Sequence, residues 1–245
     1  MVGIGTAVPA IPSGQGLEVH HSDVARLKLS TTSTGVGAND GFQIYMSDSS
    51  AILENKENAE MRFYTNAAEK VRLDSSGRLL VASTTSRSVW GANSQVQIEK
   101  LDSNAALTLI RNQNNSGGPW LGLCKTRGSS AGAVTIVQDG DSLGSIDWFG
   151  ADGVDLASTS AEIRAEIDGT PGENDLPGRL IFKTTADGAS SSTERLRIRS
   201  DGKISCGTAI NNTNTYELSL TGADGTGGFY AHGRNHYLSN RSNAY

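Results

Sequence analysis

Four histidines, two cysteines and several paired carboxylates are the residues of this chain equipped for metal binding or catalysis. His20 and His21 are adjacent, and His232 stands four positions before His236. That spacing suits a metal on a helix, where both imidazoles share a face, but Gly227, Gly228 and Gly233 disfavour a helix there. On a strand the two would lie about 13 Å apart, too far to share an ion within one chain. Copies of one histidine around a symmetry axis are the arrangement left open. Cys124 and Cys206 are far apart without Cys-x-x-Cys spacing, so they read as buried thiols rather than as a disulfide or a nucleophile. Asp147 beside Trp148, with Glu162 and Glu166, has the composition of a glycosidase pair next to a sugar-stacking ring. Turn and strand chemistry accounts for these residues more simply. Asp139-Gly140-Asp141 lacks the remaining ligands of an EF-hand loop, and the clusters at Gly35-Val36-Gly37 and Gly225 to Gly228 follow no strand-to-helix unit that would make them phosphate loops. The expectation is a chain without catalytic residues, metal or cofactor.

The elements that would carry such residues are strands. Glu69-Lys70-Val71-Arg72-Leu73-Asp74-Ser75-Ser76-Gly77-Arg78-Leu79-Leu80 recurs as Glu194-Arg195-Leu196-Arg197-Ile198-Arg199-Ser200-Asp201-Gly202-Lys203-Ile204-Ser205, an offset of 125 (194 minus 69). Each copy alternates apolar and charged side chains with the period of a half-buried strand, turns at a glycine, and resumes. The alternation predicts that the arginines, Arg195, Arg197 and Arg199 among them, form a solvated face balanced by nearby acids. Met61 to Thr65 precedes the first copy and Arg179 to Thr184 the second, so the repeated unit is a meander. Leu17-Glu18-Val19 with Arg26 to Leu29 resembles Val96-Gln97-Ile98 with Leu107 to Arg111, and Tyr216 to Leu220 opens a further unit. The organisation expected is the end of a preceding module at 1–16, a first β module at 17–88, a longer one at 89–208, and an incomplete third module or C-terminal tip at 209–245. The chain begins and ends in mid-pattern.

Glycine fills 29 of 245 positions, above the usual share of about 7%, while aromatics make up only 6%. Asp-Gly turns start at Asp40, Asp139, Asp152, Asp168, Asp187, Asp201 and Asp224. Residues 160–168 fit both helical and strand spacing, and the Asp168-Gly169 turn with its strand neighbours favours a strand. The fold class expected is all-β: an elongated series of meanders with tight glycine turns, too thin for a deep single core. Closed symmetry lets such a chain bury its apolar faces against other copies of itself, as an intertwined or packed homotrimer.

The run Pro177-Gly178-Arg179-Leu180-Ile181-Phe182-Lys183-Thr184-Thr185-Ala186-Asp187-Gly188, continuing through Thr193 to Ile198 and Asp201-Gly202, closely resembles the repeat of tail-fibre and other fibre proteins of bacteriophages. Gly144 to Gly150 and the opening Val2-Gly3-Ile4-Gly5-Thr6 share that resemblance, which covers most of residues 1–208. It implies a trimeric β-rich spacer and host-attachment element in a virion, made in the host cytoplasm, with other virion proteins and a host cell-surface glycan or protein as partners. A capsid-attached head fibre or decoration protein is the alternative structural role. A polysaccharide-degrading tailspike is the enzymatic one, disfavoured because its coils recur roughly every 20 to 30 residues. Such fibres often continue into a self-cleaving chaperone domain, which nothing before Asn243-Ala244-Tyr245 resembles.

A net charge of −5 argues against nucleic acid as a partner, and no apolar run approaches the 18 or so residues of a membrane span. The N terminus lacks the basic start and apolar stretch of a secretory signal. One stretch stands apart in composition: Phe229, Tyr230, His232, Arg234, His236 and Tyr237 follow a glycine-rich loop and combine broad contact area with polar tips. They are the candidate partner or receptor contact, with packing of a third module as the alternative.

Overall fold

A computed structural model describes residues 2–4, 17–101, 105–207 and 218–221. Among them there are strands and turns and no helix, in two compact units. The first comprises 1–87 with 93–108, the second 88–92 with 109–245.

In the first unit, β1 (Val2–Ile4) pairs in parallel with β2 (Leu17–Val19). An antiparallel sheet follows from β3 (Val24–Leu29), β4 (Phe42–Ser47) and β5 (Ser50–Asn55). The repeated meander comes next as β6 (Met61–Thr65), β7 (Ala68–Leu73) and β8 (Leu79–Val81). A short hairpin of β9 (Ser88–Val89) and β10 (Ala92–Asn93), which falls in the second unit except for Asn93, precedes β11 (Val96–Ile98), and β11 lies parallel to β8 in the first.

The second unit holds one six-stranded sheet in chain order: β12 (Ser142–Phe149), β13 (Thr159–Ile167), β14 (Gly178–Thr184), β15 (Thr193–Ile198), β16 (Ile204–Gly207) and β17 (Leu218–Thr221). All its pairings are antiparallel except the last. Residues 160–167 therefore belong to a strand, and Asp168 opens the connection after it, which spans ten residues, 168–177, rather than a tight turn.

The two copies of the repeat match residue for residue. Val71, Arg72 and Leu73 face Val81, Leu80 and Leu79; Leu196, Arg197 and Ile198 face Cys206, Ser205 and Ile204. Each preceding ladder carries a bulge at the same place, after Phe63 and after Phe182, which leaves Lys70 and Arg195 as the extra residues. The turns agree as well. Gly77 N donates to Asp74 O at 2.9 Å and Gly202 N to Arg199 O at 3.0 Å, with φ of 76° and 80° at the two glycines. A three-residue loop that ends in the left-handed region requires this, and glycine adopts it without a side-chain clash. The six Asp-Gly glycines within the described residues all take positive φ.

The copies differ at one hairpin. β6 and β7 are joined by Asn66 and Ala67 alone, both at positive φ, whereas 185–192 joins β14 and β15.

Residues 105–138 lie outside the ladders. Leu107 to Arg111, expected to mirror β3, form no strand: β3 draws its hydrogen bonds from β4, and 107–111 have no ladder partner among the described residues.

Candidate assembly interface

Directly opposed residues in a sheet share a face, so the registers divide each sheet into two sides. In β3–β5, Ala25, Leu27, Ile44, Met46 and Leu53 fall on one side, and Arg26, Lys28, Gln43, Tyr45 and Glu54 on the other. In β6–β8 with β11, Phe63, Leu73, Leu79 and Val96 share a side opposite Arg62, Arg72, Leu80 and Gln97. In the second unit, Ile146, Trp148, Ile163, Leu180 and Ile198 oppose Asp147, Glu162, Arg164, Ile181 and Arg197.

Each charged side is closed within the chain. Arg72 holds Glu69 at 2.7 Å and Arg197 holds Glu194 at 2.6 Å. Arg179 bridges Glu166 at 2.7 Å and Asp168 at 3.0 Å; Arg164 donates to Glu162, which also meets Lys183 at 3.3 Å. Tyr45 donates to Glu54 at 2.9 Å under the guanidinium of Arg26. The Arg72 hydrogen bonds hold the Glu69 carboxyl below the usual carboxylate range. Burial works against the charge of Arg179, but Glu166 and Asp168 outweigh it and raise its affinity for the proton. Long charged side chains lie along the sheet, and beneath them Leu80 and Ile181 are buried.

The apolar sides are the open ones. Leu53 is 56% exposed and Phe63 50%, and Leu27, Met46, Ile146, Trp148 and Leu180 are exposed too. Of these, Leu27, Met46 and Leu53 line a hollow of about 430 Å³ between β2 and the β3–β5 sheet, together with Leu17 and Val19. The expected solvated arginine face is thus corrected. Arg197 is only 9% exposed because Glu194 draws it down onto β16, while the alternate residue Ile198 is open.

The remaining candidates have structural posts. His21 Nδ1 accepts from the Asp23 and Val24 N–H groups and fixes the entry to β3. Asp139 accepts from Gly169 N at 2.8 Å, and Asp141 is clasped by Arg127 at 2.6 Å, whose hydrogen bonds hold its carboxyl far below the usual range. Cys206 is half-buried, but Cys124 is exposed, contrary to expectation, because 119–125 are not covered by a neighbouring ladder. Asp147 stands directly opposite Glu162, whereas Trp148 is on the other side of the sheet and Glu166 is taken up by Arg179. The aromatic ring beside Asp147 and Glu162 is instead Trp90, which the sequence pattern did not single out. Phe229, Tyr230, His232, Arg234, His236 and Tyr237 lie outside the described residues.

No protein-family model matches the chain, and no curated protein does. Among solved structures, the chain is similar to the carboxy-terminal domain of the bacteriophage T5 L-shaped tail fibre at 15% identity and a TM-score of 0.49, over 95% of this chain and 86% of that one. It is also similar to that domain together with its intra-molecular chaperone domain, at 16% identity and a TM-score of 0.49, over 95% of this chain and 60% of that one.

Proposed function

We propose that this chain is a structural component of a bacteriophage fibre, assembled as a homotrimer that acts as a spacer and host-attachment element without catalysis. The observation that carries the reading is the inverted burial. Ion pairs close the charged sides inside one chain, while three sheets leave their apolar sides open, an arrangement a monomer in water has no use for. A second copy of the same surface satisfies it, and closed symmetry supplies that copy. The ladder-free residues 105–138, with Leu107, Ile110, Trp120 and Val134 exposed, add apolar surface of the same kind. The repeat's resemblance to phage fibres supports placement in a virion.

Light scattering on the purified chain tests the assembly: a mass three times 25.7 kDa is expected, and a stable monomer refutes it. A label on the chain, imaged on intact particles, tests the placement. In this reading the residues from Phe229 to Tyr237 are a candidate partner or receptor contact. Changing Arg234 and Tyr237 to alanine is expected to abolish attachment and keep the trimer; a trimer that falls apart assigns them to assembly.

A further inference from the structure

On the charged side of the six-stranded sheet, the second unit carries a hollow of about 210 Å³. We propose that it is a binding site for a single neutral sugar ring. The inference deepens the attachment reading above and rests on it for the source of the sugar.

Its wall is Trp90. This indole is 70% exposed in a chain with only three tryptophans, and it sits at the tip of the β9–β10 hairpin. Both tip residues have positive φ, 51° at Trp90 and 73° at Gly91, as in a type I′ turn. Asparagine, aspartate or glycine is the usual occupant of that first position, and a bulky aromatic there is an outlier held against its own preference. Packing within the chain does not explain the choice, since the ring is 70% exposed there. Its backbone N–H donates to Leu156 O at 3.1 Å, which fixes the tip over the hollow. Strain of this kind gathers at ligand sites.

The floor is polar and preset. Glu162 is 4% exposed, with its oxygens engaged by Arg164, Lys183 and, at 3.5 Å, the Ser192 hydroxyl. Asp147 is held by the hydroxyl of Ser145. Two carboxylates and two cations sum to zero, so the hollow offers no net attraction to a phosphate or an acidic sugar. It offers donors and acceptors in alternation for vicinal hydroxyls, and an indole for the C–H face of a ring. The volume falls below that of sites for drug-sized ligands, roughly 300 Å³ upward, and suits one monosaccharide.

The remaining wall comes from the serines at 190–192, within the eight-residue connection that replaces the two-residue turn Asn66–Ala67 of the first copy. The second module therefore differs from the first where the hollow is built. Glu162 already commits its oxygens to scaffold partners, so the arrangement holds a ring rather than cleaving a bond.

Titration of the purified full chain with glucose, galactose, mannose and N-acetylglucosamine, followed by calorimetry and by NMR of the indole N–H signals, tests the site. At least one is expected to bind at millimolar concentration and to shift one indole signal. Trp90→Asn restores the residue type the turn prefers, so the variant is expected to be at least as thermally stable as the parent, with an unchanged oligomeric mass and at least tenfold weaker sugar binding. Equal binding by the variant, or no binding of any of the four sugars by the parent, overturns the proposal. Loss of the oligomer in Trp90→Asn also overturns it, by making the hollow a packing site between copies. Particle adsorption to cells separates the two readings: adsorption that survives the variant removes this site and leaves the attachment role in place.

Discussion

Leu80 and Ser205 occupy the same place in the two copies of the repeat, one opposite Arg72 and the other opposite Arg197, and each is only 1% exposed. Leu80 fills its position with apolar atoms. Ser205 buries a hydroxyl that has no hydrogen-bond partner among the described residues. A buried donor left unpaired costs free energy that an apolar group of similar size does not. Ser205→Ala is therefore expected to stabilise the protein by about 1 kcal/mol, a rise in Tm of roughly 2–4 °C. Thermal unfolding by circular dichroism checks this, and a fall in Tm would show that the hydroxyl has a role.

Gly41 and Gly77 both take positive φ, yet they differ in space. A Cβ on Gly41 would lie 2.3 Å from the backbone oxygen of Leu29, whereas one on Gly77 would meet nothing within 4 Å. Gly77→Ala is expected to cost the backbone strain alone, about 1–2 kcal/mol. Gly41→Ala adds a clash with main chain that cannot move aside and is expected to cost more. Gly77→Val and Gly202→Val should likewise harm folding more than changes at Arg78 or Lys203. Equal losses at Gly41 and Gly77 would refute the steric difference.

Glutamate placed at Leu53, Phe63 or Ile146 puts a charge on one open apolar side per sheet. Each variant is expected to lower the mass measured by light scattering while retaining its β circular dichroism at low concentration. Arg62→Glu, on the opposite side, should leave the mass unchanged. Variants that keep the full mass would remove these sides from the interface.

Several carboxyls sit below their ordinary range in the folded chain. Glu69 is lowered by hydrogen bonds from Arg72, Asp74 by the Arg78 N–H, and Asp201 by the Lys203 side chain. Burial pushes Asp168 up, but the Ser200 N–H, Arg179 and the Ser200 hydroxyl outweigh it. With folded values depressed, the unfolded chain binds more protons in acid, so stability is present above about pH 4 and is lost as pH falls through the folded values. Denaturant midpoints are expected to be flat from pH 7 to 5 and to drop below about pH 4. A midpoint that rises in acid would contradict these pairings.

Alternation made the strands of the repeated meander legible, since Val71, Leu73, Leu196 and Ile198 alternate with arginines at a fixed offset. It did not reveal which side is covered. Periodicity separates two faces, but only the i,i+3 pairs Glu69–Arg72 and Glu194–Arg197 show that the charged one folds down. The pattern also credited 107–111 with a strand and Cys124 with burial, because an apolar run reads alike whether or not a neighbour lies beside it. Trp90 escaped notice because the β9–β10 hairpin is too short to leave a periodic trace, and a tryptophan before glycine is not a usual turn signature.

Three times the chain passes between repeats by the same joint: β1 to β2, β8 to β11 and β16 to β17 are parallel pairs, each set side by side in register. The strands of each joint are separated by 10 to 14 residues, counted from the strand bounds, so the pairing itself does not fix one length for the chain between them. A whole repeat deleted or duplicated between two such joints would leave the same parallel pairing to be made across the new junction. The number of repeats, and with it the length of the chain, is thereby separable from the side chains that each repeat presents.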